Sequence, residues 1–170
     1  GNKDGMVRIW DVATGKELKK FKGTSENVTV GIRKVAFSPD DARVVSAGRQ
    51  LKLWDARTGQ EIATLNGHNG NVTGVCFSPD SRHLVTGSVD GTVKAWELAT
   101  DQDFATLMND APVQTLDYSP AGTRIVAGSH KGTINLWNTD TNELQRTIVA
   151  HPETVLAVRF NSDGSQIVSG

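Results

Sequence analysis

Four tryptophans frame this chain. Trp10, Trp54, Trp96 and Trp137 stand 44, 42 and 41 residues apart. Each closes the same phrase: VRIWD, LKLWD, VKAWE and INLWN. Upstream of the last three lies a second phrase, VAFSPD, VCFSPD and LDYSPA, and a fourth copy, VRFNSD, follows Trp137. Between the two phrases sit VVSAG, LVTGS and IVAGS, with IVSG at the very end. A unit of this size cannot bury its apolar face alone and must stack on its neighbours. Four short strands in a period of about 40–45 residues indicate propeller blades.

Each period reads as four strands. The first carries an aromatic residue (Phe37, Phe77, Tyr118 or Phe160), the second is small and apolar, and the third holds the tryptophan. The fourth ends near Gly23, Gly67, Met108 or Ala150. Pro39, Pro79 and Pro120 fall in turns, where a missing N–H costs least. Asp4-Gly5 and Asp90-Gly91 supply the positive φ that tight hairpins require. Complete units are expected over 24–67, 68–108 and 109–150. Residues 1–23 supply the third and fourth strands of another unit, and residues 151–170 its first and second. No stretch shows sustained helical periodicity. The expected fold is an all-β propeller with four blades' worth of strands, one blade divided between the two ends.

At these phrases the sequence resembles the WD-repeat β-propeller family, over essentially its whole length. Trp10-Asp11 and Trp54-Asp55 keep the family's dipeptide, whereas Trp96-Glu97 and Trp137-Asn138 depart from it. The resemblance implies a hydrogen-bond relay inside a blade, which satisfies the buried indole N–H. One unit has every part: His68, Thr86 or Ser88, Asp90 and Trp96. The Trp54 unit has Thr24 where the histidine would stand and an AGRQ turn without Asp-Gly. The Trp137 unit has Lys131 at the aspartate position and Asp110 near the histidine position. The relay is expected to be missing from both.

The resemblance also implies a rigid, non-catalytic platform for protein or peptide partners. Its contacts would flank the start of each first strand: Gly31 and Arg33, Asn71 and Thr73, Pro112 and Gln114, Thr154 and Leu156. The connection GTSENVTVGIRK is four residues longer than its counterpart GHNGNVTG, counted from glycine to the aromatic residue, and is the most individual loop.

Composition removes several other classes. The formal net charge is -1, with charged residues (22%) spread evenly, which argues against a general phosphate-backbone binder. No apolar run approaches membrane-spanning length and no signal peptide opens the chain, so no membrane partner is expected. Cys76 is the single cysteine, so no intrachain disulfide can form, which fits a cytoplasmic protein. His68, His83, His130 and His151 are scattered without metal-ligand spacing, and no cofactor is expected. Cys76 has no His-Asp pair placed to activate it. Asp40 and Asp80 recur because turns want them, and neither GSVDG nor ATGK matches a phosphate-binding loop. An enzyme is therefore not expected. The rival class, a propeller enzyme, would converge unique polar residues at one end of the channel.

The two ends are complementary. Gly170 lies 33 residues beyond Trp137 and Trp10 is the tenth residue, together 43, which is one period. The relay also completes across the gap, with His151 and Ser169 from one end and Asp4 and Trp10 from the other. Closing four blades on themselves would turn neighbours by roughly 90°, against roughly 45–50° in rings of seven or eight. The favoured expectation is a two-chain ring of eight blades, made by head-to-tail completion of the split blade. The alternative is a piece of a longer single-chain propeller, the interaction domain of a multidomain signalling protein, which the non-native look of Gly1 would suit.

Overall fold

The computed structural model describes residues 4–23, 31–99 and 102–170. Thr24 and most of the long GTSENVTVGIRK connection lie outside the described residues.

Among the described residues, sixteen strands form five antiparallel sheets. β1 (Met6–Trp10) and β2 (Glu17–Lys22) make a two-stranded sheet. A four-stranded sheet follows: β3 (Lys34–Phe37), β4 (Arg43–Ala47), β5 (Leu51–Asp55) and β6 (Glu61–Thr64). The next holds β7 (Val72–Phe77), β8 (His83–Ser88), β9 (Thr92–Glu97) and β10 (Gln102–Met108). The third holds β11 (Val113–Tyr118), β12 (Arg124–Ser129), β13 (Thr133–Asn138) and β14 (Leu144–Val149). β15 (Val158–Phe160) and β16 (Ile167–Ser169) make a second two-stranded sheet. In every four-stranded sheet the strands pair in chain order, as a meander.

The sequence explains this arrangement. The second strands are continuous small apolar runs because both faces of the sheet are covered. Val45, Val85 and Val126 are fully buried. Of the outer strands, β2 is exposed at every residue but Phe21, and β14 is exposed along its whole length. The first strands β3, β7, β11 and β15 stand side by side, so the sheets fan around one end of the set. The hairpin turns impose their own chemistry. Gly132 has φ 79°, and a Cβ there would lie 1.9 Å from the His151 carbonyl oxygen, so that turn can hold only glycine.

The core lies between sheets. Val45, Leu53 and Leu65 of one sheet meet Phe77, Leu84 and Trp96 of the next. Val85, Ala95 and Leu107 then meet Tyr118, Ile125 and Trp137. Val7 and Ile9 of the first two-stranded sheet pack on Val44 and Trp54. Val126 and Ile134 pack on Val158 and Phe160 of the last. Trp54, Trp96 and Trp137 thus each face the preceding sheet.

The two short sheets remain separate within the chain, and they interrupt this pattern. Trp54, Trp96 and Trp137 are 4%, 1% and 2% exposed, whereas Trp10 is 54% exposed. Val168, at the repeat position of Val45, Val85 and Val126, is 69% exposed. Phe37 is half exposed where Phe77 is buried. Trp10 and Val168 lie on the two short sheets, and Phe37 lies on the sheet that follows the first of them.

Candidate functional site

The relay is built on β8, β9 and the connections around them. The Trp96 indole N–H donates to Thr86 Oγ1 at 2.8 Å. His68 Nδ1 lies 3.0 Å from Asp90 Oδ2, a carboxylate that can only accept, so Nδ1 carries the proton. In the neutral ring Nε2 then accepts the Thr86 hydroxyl proton, 2.8 Å away. Asp90 also accepts from the backbone N–H of Asn69 and Thr92 and from the Thr92 hydroxyl. Burial alone would raise its carboxyl, but these hydrogen bonds, with that of His68, bring it down to about 2. Ser88, the alternative hydroxyl, accepts the Asp90 N–H and caps the turn instead. The relay thus ties two ends of one sheet to its buried indole.

The other sheets hold different versions. Trp54 donates to Ser46 Oγ at 3.0 Å, so the indole–hydroxyl step survives although the Asp-Gly turn is gone. In the Trp137 sheet Ala127 stands opposite Asn135, where Thr86 stands opposite Lys94. An asparagine network takes over. Asn135 Nδ2 donates to Asn109 Oδ1 at 2.7 Å, and Thr147 donates to Asn135 Oδ1 at 2.6 Å. Thr133 donates to Asp110. This is a different network from the relay, and it holds that turn in the relay's place.

The two short sheets each carry some of the relay's residue types. His151 Nε2 lies 2.9 Å from Ser169 Oγ, as His68 lies from Thr86. Asp4 accepts the Met6 N–H at 2.8 Å, as Asp90 accepts that of Thr92 at 2.9 Å. The Trp10 indole, on the first short sheet, is exposed.

The residues flanking the first strands gather at one end of the side-by-side set β3, β7, β11 and β15. Arg33, Pro112 and Leu156 are exposed, and Gly31, Asn71, Gln114 and Thr154 are half-buried. Thr73 is not among the surface residues. It is 3% exposed, and its hydroxyl meets the carbonyls of Gly87 and Val113, linking two neighbouring sheets. Burial, the largest cause, pushes the Cys76 thiol up to about 11. Among the described residues no group of three or more His, Cys, Asp or Glu side chains could hold a metal ion, and no helix is long and apolar enough to cross a membrane.

Repeated four-stranded meanders fan around their first strands, and one of them is pinned by an indole–hydroxyl–imidazole–carboxylate relay, an arrangement consistent with the blades of a repeat protein. A family profile described as "WD domain, G-beta repeat" matches residues 15–55, 59–97, 104–138 and 142–170, and the chain belongs to the WD-repeat family. Autophagy-related protein 16 of Arabidopsis thaliana is 29% identical over 105 residues. That match covers 58% of this chain and 20% of the relative, so the chain spans about a fifth of that protein's length.

Proposed function

We propose that this chain is a non-catalytic scaffold that binds a protein or peptide, and that a second copy completes its divided blade to give an eight-bladed ring. Membership of the WD-repeat family supports the scaffold reading. The observation that carries the ring is the halved relay: a His151–Ser169 pair at one end and an exposed Trp10 with Asp4 at the other. Joining them buries Trp10 and Val168, each worth about 1.5–3 kcal/mol of apolar burial. It also covers two open strand edges. A cytoplasmic setting suits the lone, half-buried Cys76.

The length of the relative favours a second source for the missing strands. In a longer polypeptide the same edges would be completed by further blades of that chain, serving as an interaction domain.

The partner surface is the first-strand end, with Arg33, Asn71, Pro112, Gln114, Thr154 and Leu156 as contacts. A peptide array probed with the labelled chain tests it. Arg33→Glu combined with Leu156→Asp is expected to abolish capture of the selected peptides while leaving the circular dichroism unchanged. Undiminished capture by that variant would place the binding surface elsewhere.

A further inference from the structure

The seams between sheets differ at one register position. Arg43, His83 and Arg124 each open the second strand of their sheets. At the first seam the Arg43 guanidinium crosses to the next sheet and donates to the Ser81 carbonyl at 3.2 Å. The Ser81 hydroxyl returns a contact by accepting the Asp40 N–H at 3.1 Å. That seam is filled by the chain's own arginine.

At the second seam both partners are replaced. His83 stands where Arg43 stood, and it turns to Glu97, 3.1 Å away on its own sheet. Gly122 stands where Ser81 stood and has no hydroxyl. A cleft of about 390 Å³ opens there, lined by Asp80, His83, Tyr118, Gly122 and Asp140 among others. Asp80 repeats Asp40, and the Ser78 hydroxyl is the main reason its carboxyl lies below the usual range. Tyr118 is 9% exposed, and its hydroxyl has no hydrogen-bond partner among the described residues. Burial, with the charges of Cys76 and Asp80 adding to it, pushes its ionisation up, so the phenol stays neutral.

We infer that this cleft is a binding site for an arginine side chain of a partner polypeptide, which takes the place that Arg43 occupies at the neighbouring seam. The chain itself shows which group fits such a seam. The cleft keeps the repeat's aspartate and adds Asp140 and an unpartnered phenol. A planar cation's fork of donors suits a carboxylate and a phenol oxygen together. The site lies at the turns that follow the first strands, away from the first-strand end described above, and it does not depend on ring closure.

The test is an NMR titration of the chain with N-acetyl-arginine methylamide, with the citrulline analogue as an uncharged isostere. Shifts are expected at Asp80, Tyr118, Gly122 and Asp140, with citrulline at least about tenfold weaker, as for loss of a hydrogen bond to a charged group. His83→Arg should abolish binding by filling the cleft, as Arg43 does. Asp80→Asn should weaken it about tenfold. Equal binding of the two probes, undiminished binding by a folded His83→Arg variant, or no shift in the cleft at any soluble probe concentration would overturn the assignment.

Discussion

Trp96→Ala destabilises the single chain by about 3–5 kcal/mol, and Trp10→Ala, the same change at the same repeat position, costs it less than about 1 kcal/mol. The two residues differ in surroundings alone. Trp96 is 1% exposed, packed between two sheets, and its indole N–H is held by Thr86. Its removal leaves a cavity and strips the relay of its buried donor. A loss of that size consumes much of the roughly 5–15 kcal/mol that holds a domain folded. Trp10 is 54% exposed in the single chain, so truncation opens no cavity there. Its effect falls on association instead, because the proposed ring buries it. Urea unfolding of both variants at dilute concentration, where single chains dominate, makes the comparison. Equal losses would mean that Trp10 is already buried as its three counterparts are.

Acid should release the intact relay through Asp90. Its carboxyl titrates at about 2 in the folded chain, against the ordinary 3.8. A depressed value means the folded state binds its proton more weakly than the unfolded state. The stabilisation is therefore complete above 3.8 and is lost as pH falls towards about 2. At roughly 1.4 kcal/mol per pH unit, and with part of the charge screened by solvent, the ionised form contributes about 2 kcal/mol. Asp90→Asn is expected to lower stability at pH 7 by about that amount and to lose the matching part of the acid slope. Urea midpoints for both chains across this pH range read the effect. Curves that stay parallel down to pH 2 would show that the Asp90 charge contributes nothing to the fold.

The strand order and the repeat are legible because tryptophan spacing and turn chemistry are local signals. His68, Thr86, Asp90 and Trp96 can be named because one unit retains every member, and the structure brings these four within hydrogen-bond distance. What the sequence hides depends on neighbours in space. Thr73 reads as a loop-flanking residue, yet it reaches the Val113 carbonyl of the next sheet, forty residues away. The asparagine network is hidden because Asn135 occupies the position of Lys94, which takes no part in the relay of the complete unit, and Asn109 replaces the histidine. Ser46 is easily passed over because the shortened AGRQ turn suggests that the whole relay is lost, whereas only its imidazole and carboxylate end is. The cleft beside Tyr118 arises from Arg43 and His83 sharing a register position on different sheets, and only packed sheets reveal what an arginine at that place does.

Sedimentation equilibrium of the folded chain tests the divided blade most directly. The head-to-tail ring predicts a mass twice the 18.3 kDa of one chain, falling towards the single-chain value in Trp10→Ala. A mass of one chain at every concentration, for protein with a native far-ultraviolet spectrum, would contradict it.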